Sequence, residues 1–472
     1  MNSMSQNIRI DKDSLGEVTV PENAYYGPFT ARAKKQYQIT KLPPHRNFVK
    51  SFIMIKKAAA MANQNLGVLP SQIANAIISS CDEILAGKLS DQFVIETLNS
   101  GASTAFNMNC NEVIANRALE ILGKPKGSYE IISPNDHVNM SQSSNDTSPT
   151  AIHISIILNC QELLKSLNQL ICSIEKKAID FKDDIKIGRT HLMDAIPVTM
   201  GDEFSSYLFA LTKSKEFISR SLEQLYYVAL GGTAVGTGAN TPKGYQPLVV
   251  KNLSYISDLP LKPSPNLFYS LQSKLDVANC SSAIKNLAVE LTKMSNDFRL
   301  MASGPTAGFA EITIPAVHAG SSIMPGKVNP SLSETLNMIC YIVIGNDLSV
   351  TLASQAGQFE LNVMLGGMVK SVLESTDMLT NFLPIFSKNM VDGIQINKQK
   401  LKSNVQKSPV LVTLLNPIIG YLKAAEVYKE AMSSNRTIKE VIIERKLMSE
   451  EEFDNALSRE KLLSILITNF SC

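Results

Sequence analysis

Five long segments with helical periodicity constrain the fold of this 472-residue chain more than any other feature. In the first segment, apolar residues such as Ile156, Leu163 and Ile174 recur at spacings that place them on one helix face. The segments span residues 152–178, 203–230, 275–301, 332–354 and 368–388. They predict an all-α protein with a central bundle of five long helices, and their apolar surplus favours association of several subunits.

Shorter helical patterns on both sides of the bundle predict smaller domains. Residues 48–66 and 73–98 have helical spacing, after an entry segment that we interpret as irregular, residues 8–47. Short amphipathic stretches return at 421–432 and 437–445. We therefore predict a mainly helical N-terminal domain (residues 1–142), a central long-helix domain (residues 143–397) and a small helical C-terminal domain (residues 398–472).

The charge balance of the chain argues against nucleic acid as a partner. The formal net charge is +2, and 44% of the residues are hydrophobic. Neither figure indicates an electrostatic surface for a polyanion. One basic cluster contains Lys398, Lys400, Lys402 and Lys407, and we interpret it as a solvated face or a linker because no aromatic residue is interleaved.

Cysteine usage and hydropathy favour a reduced, cytoplasmic protein. The seven cysteines are an odd number, they are widely spaced, and no C-x-x-C pair occurs. The N-terminal ten residues are polar, and no apolar run has the length that a bilayer requires. We expect no membrane association.

Neither a metal site nor a cofactor is predicted. The five histidines never approach H-x-x-x-H spacing. The glycine cluster at residues 231–238 follows a helical pattern rather than a strand, and Thr241 stands where a dinucleotide-binding fingerprint needs its third glycine.

The eleven residues 320–330 carry the strongest chemical signal. Their glycines and prolines predict a loop, and loops on a rigid scaffold often carry chemistry. Lys327 and Asn329 together offer a positive charge and an amide donor, which suit a carboxylate. Ser321 is a candidate acid or base. The local alternative is a connector with a solvated lysine.

This stretch is similar, residue for residue, to the signature loop of the fumarase/aspartase superfamily, whose members cleave or form C–N and C–O bonds beside a carboxylate and release fumarate. Separate blocks at residues 100–116, 133–146 and 188–194 also resemble this superfamily. The resemblance covers nearly the whole chain. It implies a homotetramer with active sites shared between subunits, a small dicarboxylate substrate and no prosthetic group.

The resemblance also implies a role for each residue of the site. Ser321 is expected to be the catalytic base, and Glu334 is expected to pair with His191 and set its charge. The carboxylate that gains charge is expected to contact Ser143, Ser144 and Ser322, and the other carboxylate to contact Lys327 and Asn329. The leaving group is expected to lie among Thr104, Asn145, Thr190 and His191.

Several of these residues also have a local interpretation. Thr104 suits a turn or a helix cap, and Asn145 or Asp146 suits the N-cap of the helix that follows. Glu334 suits the first turn of the next helix. A helix N-terminus that carries hydroxyl groups is also a natural carboxylate site, so the two interpretations of residues 143–145 are compatible.

Several segments, including residues 299–305 and 357–362, resemble aspartases more than fumarases. This implies a lyase that reversibly eliminates ammonia from L-aspartate to give fumarate. Departures from the family pattern occur at Phe29, Ser103, Thr306 and residues 365–367, where the family has glutamine, glycine, arginine and a Glu-Pro pair. They leave open fumarate hydration, a related amino-dicarboxylate substrate, and a homologue that has lost catalysis.

Overall fold

Helices form most of the described chain, which comprises residues 7–320, 323–458 and 460–462 of a computed structural model. The helices are α1 (Pro28–Gln36), α2 (Arg46–Asn65), α3 (Ser71–Leu85), α4 (Thr104–Ile121), α5 (Ser144–Asp180), α6 (Met200–Leu225), α7 (Tyr245–Ser257), α8 (Leu267–Gln272), α9 (Leu275–Met301), α10 (Ser331–Gln355), α11 (Leu365–Asn389), α12 (Lys398–Lys407), α13 (Asn416–Ile419), α14 (Tyr421–Ser434), α15 (Ile438–Glu444) and α16 (Glu450–Ala456). The all-α prediction is confirmed.

Short strands accompany the helices as two-stranded ribbons. They are β1 (Ile8–Asp13), β2 (Gly16–Pro21), β3 (Ile185–Thr190), β4 (Met193–Thr199), β5 (Tyr227–Val228), β6 (Lys262–Pro263), β7 (Ile312–Thr313) and β8 (Gln395–Ile396). Successive strands pair with each other, and only β5 with β6 is parallel among the described ribbons. The interpretation of residues 8–47 as irregular was therefore wrong, because β1, β2 and α1 lie within them.

The five predicted long helices are α5, α6, α9, α10 and α11. Sequence placed the start of the first at residue 152, whereas α5 begins at Ser144 and continues through Pro149. Polar side chains join these helices where they pack: Asn159 of α5 donates to the Asp377 carboxylate of α11 at 2.8 Å, and Ser295 of α9 donates to the Ser333 carbonyl of α10 at 2.8 Å. Such bonds satisfy buried donors along an otherwise apolar packing surface.

The chain divides into two compact units, and the division falls within each of the five long helices. The first unit contains Met1–Leu163, Glu216–Asn286 and Tyr341–Met378. The second unit contains Leu164–Lys215, Leu287–Cys340 and Leu379–Cys472. The predicted domain boundaries at residues 142 and 397 remain a prediction.

Aromatic side chains mark the core of each unit. In the first unit, the Phe106 ring of α4 lies 4.9 Å from Phe48 and 5.1 Å from Phe52, both of α2. In the second unit, the Phe298 ring of α9 stacks at 5.4 Å on Phe204 of α6. These large side chains are fully buried, and burial of apolar area is the main force that holds the helices together.

Helix α10 is the one described helix that is long and apolar enough to cross a membrane, a property that the sequence analysis did not anticipate. One such helix is weak evidence for a membrane span. Within α10, the Asp347 carboxylate accepts a hydrogen bond of 2.6 Å from Ser281 of α9, which is a contact of helix packing in a protein interior.

Candidate active site

A cluster of hydroxyl and amide groups surrounds the N-terminus of α5 in the first unit. The Thr104 and Ser144 hydroxyl oxygens lie 3.0 Å apart, and Ser143 accepts the Asn145 backbone N–H at 3.2 Å. All four side chains are half-buried. Free N–H groups and the helix dipole favour an anion at such a terminus, so this cluster has the chemistry of a carboxylate site.

Asp146 fixes the shape of this cluster. Sequence analysis gave it or Asn145 only an N-cap role, which was wrong because α5 begins at Ser144 and Ser143 accepts the Asn145 N–H. Its fully buried carboxylate accepts N–H bonds from Ser143 at 2.9 Å, Gly231 at 3.0 Å and Thr233 at 2.9 Å. Burial raises the pKa of Asp146 to about 6. The glycine cluster that resembled a nucleotide loop therefore wraps this carboxylate. The signal in sequence was only its position directly after Ser143, Ser144 and Asn145.

A buried lysine supports the loop that precedes the cluster. The Lys56 ammonium of α2 donates to the side-chain oxygens of Asn139 at 2.9 Å and Gln142 at 3.0 Å. Burial lowers the pKa of Lys56 to about 7. Lys56 thus holds the segment that leads into Ser143, and nothing in the sequence of α2 distinguishes it from its neighbour Lys57.

Thr190 and His191 lie at the tip of the β3–β4 hairpin in the second unit. Thr190 pairs with Met193, so His191 and Leu192 form a two-residue turn. Both turn residues have positive φ, 56° and 61°, which matches the turn type that twisted hairpins favour. His191 is exposed at this tip. Hydrophobic periodicity had indicated only a break between helices here.

The signature loop has neither helix nor strand in its described part, as predicted. Ser321 and Ser322 lie outside the described residues. Lys327 is exposed and Asn329 is half-buried. A Cβ at Gly320 would come within 2.6 Å of the Lys327 carbonyl oxygen, so only glycine lets the two ends of the loop approach this closely.

Glu334 lies in the first turn of α10, just after the signature loop. Its side chain is exposed, and its backbone N–H donates to the Pro330 carbonyl at 3.1 Å. No ion pair joins Glu334 to His191 within the described part of the chain. Their predicted pairing therefore stays a prediction, as do the roles of the other site residues.

The structure shows what two of the departures from the family pattern involve. Ser103 has a φ of 51°, in the left-handed region where glycine is the unstrained residue. Phe29 contributes its backbone, because its N–H donates to the buried Glu112 carboxylate at 2.9 Å. This contact does not require the glutamine that the family has at that position.

The other two departures have different surroundings. Thr306 is exposed in a loop. Gly366 lies in the first turn of α11, and a Cβ there would come within 2.5 Å of the Thr97 carbonyl oxygen. The close approach of the Thr97 backbone explains the glycine at position 366. Nothing in the structure explains the threonine at position 306.

Comparison with known protein families assigns the chain. Residues 16–345 match the lyase family, and residues 411–464 match the fumarase C C-terminus family. By fold and by sequence, the chain is a lyase. It belongs to the fumarase/aspartase superfamily.

Relatives of both activities are similar over their full length. An aspartate ammonia-lyase from a Bacillus species is 42% identical, with 96% of this chain and 97% of the relative covered. The aspartate ammonia-lyase of Escherichia coli strain K12 is 43% identical, with 98% and 97% covered. A class II fumarate hydratase from Thermosynechococcus vestitus is 44% identical, with 98% and 99% covered.

Solved structures give the same family. The fumarate lyase:delta crystallin structure from Brucella melitensis bound to cobalt has a TM-score of 0.93 and 40% identity, with 97% of this chain and 99% of that chain covered. The recombinant class II fumarase from Schistosoma mansoni has a TM-score of 0.93 and 36% identity over the same shares. The predicted fold class, the three-domain helical fold of this superfamily, is confirmed.

Proposed function

We propose that this lyase is an aspartate ammonia-lyase, which reversibly eliminates ammonia from L-aspartate to give fumarate. The main structural support for this proposal is the pair of hydroxyl groups of Thr104 and Ser144, whose oxygens lie 3.0 Å apart at the N-terminus of α5. Full-length similarity to aspartate ammonia-lyases from two bacteria supports ammonia as the leaving group.

The α5 terminus suits the carboxylate next to the carbon that loses a proton. Removal of that proton converts the carboxylate into a doubly charged, enediolate-like group. Donors that are already oriented where this charge develops lower the barrier. Ser143 and Ser144 offer hydroxyl groups there, and Ser143 is held in place because its backbone N–H donates to the buried Asp146 carboxylate at 2.9 Å.

The signature loop would supply the proton acceptor and the second carboxylate contact. In this proposal Ser321 takes the proton, Ser322 binds the reacting carboxylate, and Lys327 with Asn329 binds the other one. Lys327 is exposed and Gly326 has a φ of 79°, both of which suit a loop that closes over substrate.

The remaining groups would act on the amine. Thr104, Asn145, Thr190 and His191 would surround the leaving ammonia, and Glu334 would set the charge of His191. We propose that these groups meet in a homotetramer in which subunits share each active site. The exposure of both His191 and Glu334 in one chain supports such sharing. We also propose a reduced, cytoplasmic setting, since every cysteine of the described residues is free.

Fumarate hydratase is the second candidate. The Thermosynechococcus vestitus relative, a class II fumarate hydratase, is as similar as the aspartate ammonia-lyases. Both reactions place a carboxylate at the same type of site and differ in the leaving group, ammonia or water.

One assay separates the two. The purified protein is incubated with fumarate plus ammonium, with fumarate alone and with L-malate, while the ultraviolet absorbance of the double bond is followed. Loss of fumarate only with ammonium supports the proposal. Loss without ammonium, or formation from malate, supports fumarate hydratase and overturns it. No absorbance change in any of the three incubations, from a folded oligomer, also overturns the proposal. That result would indicate another substrate or a loss of catalysis.

Two variants test the roles within the signature loop. Ser321→Ala is expected to abolish turnover and leave assembly intact, because the base alone is lost. Lys327→Ala is expected to raise KM far more than it lowers kcat, because a uniform binding contact is lost. A Ser321→Ala enzyme with normal kcat would remove this serine as the base.

A further inference from the structure

A second polar cavity lies in the second unit, below the tip of the β3–β4 hairpin. Its volume is about 250 Å³, at the small end of ligand pockets. Polar side chains dominate its lining: Arg189 and Asp194 from the hairpin, and Lys400, Asn404, Lys407 and Ser408 from α12 and the residue after it. It shares no residue with the proposed substrate site.

The cationic residues of α12 at this cavity come from the basic cluster that sequence analysis interpreted as a solvated face. Lys400, Asn404 and Lys407 are four and three positions apart, so they lie on one face of the helix. Neither lysine ammonium has an ion pair or a hydrogen bond within the part of the chain that the structure describes. Two uncompensated charges thus line one cavity.

Arg189 supplies the third cation in a fixed orientation. One of its nitrogens donates to the fully buried Glu311 carboxylate at 2.7 Å, and its guanidinium stacks 4.3 Å above the Phe309 ring. Because these two contacts already fix the guanidinium, its remaining N–H donors can bind a ligand with little further loss of side-chain entropy.

Ser408 and Asp194 contribute further polar groups to the cavity lining. Ser408 is buried, with 3% of its surface exposed, and its hydroxyl donates to the Asp194 carboxylate at 2.8 Å. The Asp194 charge is thereby partly engaged. Because Arg189 is already paired with Glu311, the positive charge available to a ligand comes from Lys400 and Lys407.

We propose that this cavity binds a small dianionic oxyacid, either a phosphate or a dicarboxylate, at a site separate from catalysis. Two unpaired ammonium groups and an oriented guanidinium neutralise two negative charges, and Asn404 offers an amide donor to an oxygen. Arginine and lysine in this combination are the usual partners of phosphate and carboxylate groups.

The site is coupled to the hairpin tip by the strand register. Arg189 pairs directly with Asp194, and the next residue pair is Thr190 with Met193, which encloses the His191 turn. An anion held between Arg189 and α12 therefore ties the hairpin to that helix one residue from Thr190. This regulatory consequence rests on the proposed function, whereas the binding itself does not.

The binding test uses isothermal titration calorimetry of the purified full-length protein with sodium phosphate at constant ionic strength. Wild type is expected to bind, and the double variant Lys400→Gln/Lys407→Gln is expected to bind about tenfold more weakly or worse, because two charge contacts are lost. The matched control, Lys402→Gln/Lys423→Gln, removes two exposed lysines that do not line the cavity. It is expected to bind as wild type does.

A succinate titration distinguishes the two chemical sources. Succinate binding that the double variant retains belongs to the proposed substrate site, and binding that it loses belongs to the cavity. Phosphate binding alone at the cavity identifies a phosphate ligand, and succinate binding there identifies a dicarboxylate; either supports the proposal. Absence of binding of both anions by wild type, or equal affinity of the two double variants for the anion that binds, overturns it.

Hydrogen–deuterium exchange of wild type provides a measurement that needs no variant. Phosphate is expected to slow exchange in peptides that cover residues 185–199 and 398–408 and to leave α2 and α3 unchanged. Uniform slowing along the whole chain, or none in these two peptides, would contradict a site between the hairpin and α12. Activity assays are not part of this test, so it stands apart from the identity of the reaction.

Discussion

Ser103 shows how one residue departs from the family pattern at an energetic cost. Its backbone is left-handed, with a φ of 51°, and only 1% of its surface is exposed. Its hydroxyl has no hydrogen-bond partner among the described residues. A left-handed non-glycine residue costs about 1 kcal/mol, and an unpaired buried hydroxyl costs a further 1 kcal/mol or more.

Ser103→Gly is therefore expected to stabilise the protein by about 1–2 kcal/mol, after the greater flexibility of glycine in the unfolded chain is subtracted. Ser103→Ala is the matched control, because it removes the hydroxyl and keeps the strained backbone, and its gain is expected to be smaller. Urea denaturation at fixed protein concentration measures both. A glycine variant less stable than wild type would contradict this explanation.

Lys56 makes stability depend on pH. Its pKa is lowered by burial to about 7, whereas a lysine in an unfolded chain titrates near 10. Between these values the unfolded chain binds more protons than the folded one, so stability rises with pH from about 7 to about 10. Lys274, also buried with a pKa lowered to about 7, adds a contribution of the same sign.

The variant Lys56→Met is expected to lose the contribution of Lys56 to the increase of stability with pH. This contribution is at most about 1.4 kcal/mol per pH unit. The control Lys57→Met replaces the next lysine, which pairs with Asp82 at the surface, and is expected to keep the wild-type slope. Denaturation series between pH 7 and pH 10 give the slopes. An unchanged slope in Lys56→Met would mean that this ammonium titrates normally in the folded protein.

At the residue scale, sequence predicted the local groups and missed the distant ones. The hydroxyls of Thr104 and Ser144 were both predicted as site residues, and they lie 3.0 Å apart. The enclosure of Asp146 by Gly231 and Thr233 depends on backbone atoms that are more than eighty positions away in sequence. No local pattern encodes such a contact.

At the scale of elements, periodicity predicted the long helices well and the ribbons poorly. Helix α9 has the bounds that its apolar spacing predicts, Leu275–Met301. The β3–β4 hairpin turns through His191 and Leu192, and neither is the glycine, asparagine or aspartate that usually marks a two-residue hairpin turn. A turn signal based on glycine or asparagine therefore could not find it, and tertiary contacts hold it instead.

A buried charge network is one of the contacts that hold this hairpin. The Glu311 carboxylate, fully buried, pairs with Lys186 at 3.1 Å and with Arg189 at 2.7 Å, both on β3. Removal of one member of such a network leaves the others uncompensated in a poorly solvated place.

Glu311→Gln is therefore expected to destabilise the protein by about 3–5 kcal/mol and to lower kcat, because the strand that carries Thr190 loses its anchor. The control is Glu426→Gln, which breaks an exposed pair with Arg445 and is expected to cost far less, because solvent screens exposed pairs. Thermal unfolding and steady-state kinetics measure the two effects. Equal losses in both variants would refute the anchoring role.

At the scale of the whole molecule, α10 leaves large apolar side chains in contact with water. Tyr341 is 55% exposed, Leu348 59% and Leu352 53%, on a helix whose ends are fixed in the fold. A soluble monomer rarely exposes so many apolar groups on one element, so this face fits the proposed association with further copies of the chain.

Leu348→Glu/Leu352→Glu is expected to convert the oligomer into smaller species and to abolish activity with them, because two charges cannot be buried in an apolar interface. Tyr255→Glu, at an 85% exposed position of α7, is the control and is expected to leave assembly unchanged. Size-exclusion chromatography with light scattering gives the masses. An intact oligomer in the double variant would place the interface elsewhere.

Helix α10 begins at Ser331, directly after Pro330, the last residue of the signature loop. The same helix therefore carries Glu334 in its first turn and the apolar residues Tyr341, Leu348 and Leu352 farther along. If neighbouring subunits pack against α10, these subunit contacts determine how firmly the C-terminal end of the signature loop is held. Specific activity should then decline on dilution into the range where protomers separate, and recover when they are concentrated again.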